Sequence, residues 1–140
     1  MALKTYSGSC HCGAVRFEAD IDFEKGSARC NCSLCRKARA WFVLVAPDQF
    51  RLTRGAEAQS RYEWTPPGRP TSNLHYHFCS TCGVRTVGRG DQGPGGGPFY
   101  FVAVASLDDV DWNELASAPI KYLDGLHDRY DRAPENPQLM

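Results

Sequence analysis

The sequence predicts a mainly β chain with small helical inserts. Three observations carry that prediction. Short segments alternate apolar and polar residues or run briefly apolar, glycine and proline punctuate them at close intervals, and a 3.6-residue periodicity is scarce. The 140 residues are read as one domain spanning 1–140. A chain of this size buries about 70% of its unfolded surface, so an ordinary core is within reach.

Taken in order, Ala14 to Ala19 alternates and predicts a half-buried strand. A turn follows from Asp22 to Gly26. Residues Cys35 to Ala40 suit a short helical turn with Ser33 as N-cap. Trp41 to Ala46 is continuously apolar and ends at Pro47, which predicts a central strand buried on both faces. Phe50–Thr53 and Ser60–Trp64 are shorter strand candidates on either side of Gly55. Pro66 to Pro70 reads as a loop. Asn73 to Phe78 alternates, and Val84 to Val87 continues as a strand. Residues 88–98 hold six glycines and two prolines, which predicts a flexible loop. Phe99 to Ala105 is again a strand, Leu107 to Leu115 a short helix stopped by Pro119, and the tail from Ala133 is expected to fray.

The chemistry is concentrated in seven cysteines. Cys30, Cys32 and Cys35 form C-x-C-x-x-C, a spacing at which three sulfurs can converge on one metal ion. Cys10 and Cys12 form a C-x-C pair, and Cys79 and Cys82 a C-x-x-C pair followed by Gly83. Zinc takes four ligands, with Zn–S near 2.3 Å. The two pairs together supply four sulfurs and can close one structural site. Cys30, Cys32 and Cys35 are then left without a fourth cysteine. Either His75, His77 or His127 closes this second site, or water or a substrate completes it, as in catalytic zinc. Two zinc ions per chain are expected. Arg36, Lys37 and Arg39 stand beside the second cluster, as a solvated helical face or as a basic rim that favours thiolates and attracts an anionic thiol.

Several function classes find no support. Lysine plus arginine equals aspartate plus glutamate at 16 each, so a net charge of zero gives no argument for nucleic acid or an anionic membrane. No apolar run approaches a membrane span, and Met1 to Tyr6 lacks the apolar core of a secretion signal. A cytoplasmic location is therefore expected. Thiols stay reduced there, and the odd number of cysteines opposes a complete disulfide framework. Gly88-Arg89-Gly90-Asp91-Gln92-Gly93 matches G-x-G-x-x-G. That fingerprint needs a helix to open immediately after it, whereas Pro94 and further glycines follow here, so nucleotide binding is not expected.

Three blocks, Gly8–Val15, Cys30–Lys37 and Phe78–Gly83, occur in the order found in the glutathione-dependent formaldehyde-activating enzyme family, which also includes centromere protein V. Ser106–Asp109 and Asp124–Asp128 extend that resemblance over most of the chain. The resemblance implies small coiled β-sheets organised around two zinc sites. By position, Cys10, Cys12, Cys79 and Cys82 would be the structural set, and Cys30, Cys32 and Cys35 the catalytic set. Asn31 stands where members often carry His, at a position that is not a ligand. The activity implied is that of a carbon–sulfur lyase that joins glutathione to formaldehyde.

On this reading, a thiol such as glutathione binds at the open zinc position as a thiolate and attacks a small carbonyl. A zinc module that binds a protein partner, and a thiol or zinc sensor, are the alternatives.

Overall fold

The computed structural model describes residues 3–69, 73–93 and 95–140. Met1 and Ala2, Pro70 at the end of one expected loop and Pro94 within the other lie outside the described residues.

Among the described residues, ten strands form two sheets. The small antiparallel sheet has the order β1-β2-β5, from β1 (Lys4–Ser9), β2 (Arg16–Ile21) and β5 (Phe50–Arg54). The large sheet has seven strands in the order β10-β3-β4-β9-β8-β7-β6. Its members are β3 (Ser27–Cys30), β4 (Trp41–Val45), β6 (Gln59–Trp64), β7 (Leu74–Cys79), β8 (Arg85–Gly90), β9 (Phe99–Ala103) and β10 (Ile120–Leu123). Two short helices, α1 (Ser33–Ala38) and α2 (Trp112–Ser117), complete the mainly β fold that the sequence predicts.

The period of two in β2 decides how the sheets pack. Phe17, Ala19 and Ile21 all point inward. They meet Val43 and Val45 of β4, Val87 of β8 and Val102 of β9 in a single core cluster. Each large apolar side chain fully buried there contributes roughly 1.5–3 kcal/mol. Only one face of the large sheet is used in this way. Phe42 and Leu44 alternate with Val43 and Val45 and point to the other face, where Leu44 is 47% exposed. The expectation that β4 is buried on both faces is therefore corrected: its second face lines an open cleft.

Other differences are local. Cys32, rather than Ser33, caps α1, its sulfur accepting the Cys35 N–H at 3.4 Å. The second helix begins at Trp112, because Asp111 accepts the Asn113 N–H at 2.8 Å and fixes the first turn there. Gly88 and Gly90, expected in a flexible loop, are the end of β8. They pair with Phe101 and Phe99, and a Cβ at either glycine would lie 2.0–2.2 Å from the facing ring. Glycine is required there to seat aromatic rings flat on the strand. The expected frayed tail instead returns, with Pro137–Leu139 as a single turn and Leu139 accepting a hydrogen bond from Arg39. Strand β10 was not anticipated. It pairs in parallel with β3 and carries the chain from Pro119 to the cysteine cluster at the end of β3.

Candidate metal centres

The structure gathers the cysteines into the two groups that the spacing suggests. The sulfurs of Cys10, Cys12, Cys79 and Cys82 lie within 4.8 Å of one another. Each pair rides on a tight turn closed by glycine with positive φ. Gly13 (φ 81°) donates to Cys10 O, and Gly83 (φ 74°) donates to Cys79 O. Backbone N–H groups also point at sulfur, from Val15 to Cys10 at 3.3 Å and from Thr81 to Cys79 at 3.4 Å. Such donors favour thiolate. The Cys79 thiol is accordingly lowered by N–H groups of Cys82 and Thr81, and that of Cys82 falls to about 6, led by the backbone N–H of Cys12.

The donor set fits a tetrahedral metal. Four sulfurs at about 2.3 Å from a central ion form a tetrahedron with edges of about 3.8 Å. The Cys10–Cys12 and Cys12–Cys79 sulfur separations are 3.7 and 3.6 Å. One pair follows β1 of the small sheet and the other follows β7 of the large sheet. A metal there would pin the two sheets together.

The second group, Cys30, Cys32 and Cys35, also has its sulfurs within 4.8 Å, and among the described residues no histidine or carboxylate joins them. His75 is engaged with Glu63 and Asp91, and His127 with Asp124. Cys30 and Cys35 are buried and Cys32 is partly so. Without a cation three sulfurs this close cannot all ionise. The proton-sharing pattern shows it. Cys32 is drawn down to about 2 by hydrogen bonds from Cys30 and then Cys35, while the thiols that donate those bonds are pushed up. A metal ion would relieve that conflict.

A loop closes over this cluster. Asn31, between two of the cysteines, donates to Asp124 Oδ1 at 3.0 Å and accepts the Leu126 N–H at 2.9 Å. Asp124 is only 3% exposed and also binds His127 and Arg132. The Asn31 bond first, then His127 and Arg132, holds its carboxyl below the usual range. Gly125 follows because nothing larger fits: a Cβ there would lie 2.4 Å from the Cys30 sulfur and 3.2 Å from the Tyr130 hydroxyl. Burial pushes Tyr130 up to about 12 and pushes Tyr76 up as well, so both remain protonated hydroxyls.

Cys30, Cys32 and Cys35 open on the cleft of about 1230 Å³ that runs over the second face of the large sheet. None of the four sulfurs of the first group lines it. Of the expected basic rim, Arg39 lines the cleft, Arg36 lies with Arg39 and Met140 around a small void behind Cys30 and Cys35, and Lys37 lines neither. Sequence reasoning missed the cleft's better placed cations. Arg85 stacks on Tyr76 at 4.6 Å, Arg69 on Tyr130 at 4.8 Å and Arg29 on Trp41 at 4.9 Å. These residues come from separate elements, and no local motif marks them.

A family model described as glutathione-dependent formaldehyde-activating enzyme matches residues 5–122. The chain belongs to that family. A curated Halomonas elongata protein with the provisional name glutathione-dependent formaldehyde-activating enzyme is 40% identical over 79 residues, 54% of this chain and 50% of that protein. The match thus spans half the length of that relative. A crystal structure of a Rhodobacter sphaeroides protein, a structural genomics target, is 31% identical and aligns with a TM-score of 0.63 over 81% of this chain and 98% of that one. Family membership accounts for the order of the cysteine blocks. No helix among the described residues is long and apolar enough to cross a membrane.

Proposed function

We propose that the chain is a zinc-dependent enzyme of carbon–sulfur chemistry that adds a thiol such as glutathione to formaldehyde or a similar small electrophile, and catalyses the reverse release. Cys10, Cys12, Cys79 and Cys82 hold a structural zinc in this reading, and Cys30, Cys32 and Cys35 a catalytic one. The observation that carries it is the lining of the cleft: among the described residues it includes Cys30, Cys32 and Cys35 and none of the other four cysteines.

Cys30, Cys32 and Cys35 would hold the zinc, which would supply Lewis acidity that lowers the pKa of a bound thiol. The chain's own residues do the rest. Arg29, Arg69 and Arg85 on the cleft walls attract the carboxylates of a peptide thiol. Asn31 and Asp124 keep the Gly125–Tyr130 loop over the cysteines. Tyr130 and Tyr76 present neutral hydroxyls that can donate to the carbonyl oxygen. In the forward direction the thiol proton goes to solvent, sulfur bonds to the carbonyl carbon, and the π pair moves to oxygen, which takes a proton. No electrons are gained or lost overall, and the product is a hemithioacetal.

The test is X-ray absorption on the zinc-loaded protein, with proton exchange spectroscopy between glutathione and its formaldehyde adduct. Glutathione should add a sulfur scatterer, and the protein should accelerate exchange. A protein nitrogen already bound as fourth ligand, with a spectrum that glutathione leaves unchanged, would sink the enzyme reading.

A further inference from the structure

The cleft holds more apolar surface than one carbon needs. Phe99 and Phe101 of β9 lie over Gly90 and Gly88 of β8, where any side chain would collide with the rings. Phe101 continues the surface to Tyr76 at 4.9 Å and Phe42 at 6.2 Å between ring centroids. Leu44 stands beside Phe101 across the strand pair. Cys30, Cys32 and Cys35 line the same cleft as this shelf. Glycine inside a strand costs roughly 0.5–1 kcal/mol each, so the stretch Gly88–Gly90 is a seat built for two rings and not a slack loop.

The charge around this shelf is one-sided. Among the described residues, six basic side chains line the cleft against one carboxylate, Asp128, in a chain of zero net charge. That carboxylate is itself paired with Arg69. A second copy of this chain seated on the cleft would bring these like charges together, which costs free energy. An anion with an apolar body is the complementary occupant.

We infer that the cleft takes the adduct of an anionic thiol with an aldehyde bearing an aromatic-sized apolar group, and that Phe99 and Phe101 determine this preference. The inference rests on the proposed carbon–sulfur activity and narrows its electrophile. The thiol's carboxylates meet the arginines, its sulfur lies at Cys30, Cys32 and Cys35, and the ring of the aldehyde lies on the shelf. The bond changes are those given above, with benzaldehyde in place of formaldehyde. Burying a phenyl ring against aromatic walls yields tenfold or more in discrimination, as order of magnitude.

Two measurements on the zinc-loaded full chain test this. Exchange spectroscopy with glutathione compares benzaldehyde with formaldehyde. The quenching of Trp41 and Trp64 fluorescence, both residues lining the cleft, compares S-benzylglutathione with S-methylglutathione. The expected results are at least about tenfold preference for the aromatic partner in each, and a fall of that preference by about the same factor in Phe101→Ala. Phe101→Leu, which keeps an apolar side chain, gives an intermediate preference and guards against misfolding of the alanine variant. Exchange accelerated for formaldehyde but not benzaldehyde, with equal binding of the two thioethers, overturns this inference and leaves the carbon–sulfur reading standing. No acceleration with either aldehyde overturns both. A self-associated protein, seen by sedimentation, whose cleft excludes both thioethers would make the shelf an interface between copies and overturn the inference.

Discussion

The two cysteine groups use the same atom type for opposite structural ends. The four-sulfur group draws its pairs from turns at the ends of β1 and β7, strands of different sheets, with Cys12 and Cys79 67 positions apart in the chain. The three-sulfur group comes from one stretch, the end of β3 and the cap of α1. The first is a junction that exists only when both sheets are in place. The second is a local loop on a sheet that is already complete, roofed by a separable loop and facing a cleft. On the proposed reading, the metal coupled to folding is at the first and the exchangeable one at the second.

Replacement of single ligands tests this comparison most severely. Cys79→Ser should abolish the cooperative fold or lower Tm by more than about 15 °C, because structural zinc contributes on the order of 10 kcal/mol to such sites. Cys35→Ser should retain the fold, lose one equivalent of metal and lose thiol exchange. Circular dichroism melts and elemental analysis read both. A folded Cys79→Ser beside an unfolded Cys35→Ser would invert the assignment.

Two glycines sharpen the same contrast without replacing a cysteine. Gly55 has φ 88°, and a Cβ there would lie 2.0 Å from the backbone oxygen of Ala14, beside the Cys10–Cys12 turn. Neither the conformation nor the backbone contact can relax cheaply. Gly55→Ala is expected to cost on the order of 3 kcal/mol, seen as a lower urea midpoint. Gly125 has no such strain, and its added Cβ would meet the Cys30 sulfur at 2.4 Å. Gly125→Ala should lower the midpoint by less than Gly55→Ala does, while metal is lost sooner to a mild chelator.

The latch on the second group gives a smaller effect. Asn31→Ala removes two hydrogen bonds and leaves the buried Asp124 short of a partner. Roughly 1–3 kcal/mol of local stability is at stake. Hydrogen exchange should show faster exchange at the Leu126 amide, with protection in β2 unchanged. Equal acceleration in both places would mean that the loop is part of the global fold, and the comparison would lose its force.

The sequence made the local half of this arrangement legible. Cysteine spacing separates a group of four from a group of three, and alternation in residues 14–19 and 73–78 marks β2 and β7, because both signals act over a few neighbours. What escaped is non-local. Strand β10 has four residues, and it is a strand because β3 offers it an edge. Leu44 looks like core until the sheet shows that only Val43 and Val45 have a partner sheet. Gly88 and Gly90 look like a loop until Phe101 and Phe99 lie across them. Arg29, Arg69 and Arg85 become one site only through the order of the strands.

The smallest expected effect concerns the small sheet that carries Cys10 and Cys12. Asp20 on β2 accepts two hydrogen bonds from Arg51 on β5, at 2.8 and 3.1 Å, and one from Thr5 on β1 at 2.7 Å. One carboxylate thus ties all three strands. The Arg51 bonds, with Thr5, lower its pKa from 3.8 to about 2. A depressed folded-state pKa means that the clasp stabilises fully above the unfolded value and fades as pH falls through the folded one. Wild type should therefore exceed Asp20→Asn in Tm at neutral pH, by a few degrees at most because the pair is partly solvated. The gap should stay constant down to about pH 4 and close towards pH 2. Acid also removes metal from thiolate sites, so the gap is read over the pH range in which both proteins still melt cooperatively. A gap that stays open at pH 2 would show that Asp20 acts through shape or packing and not through its charge. A gap that closes while the three-sulfur cluster exchanges thiol normally at neutral pH would confine this clasp to the four-sulfur side of the molecule.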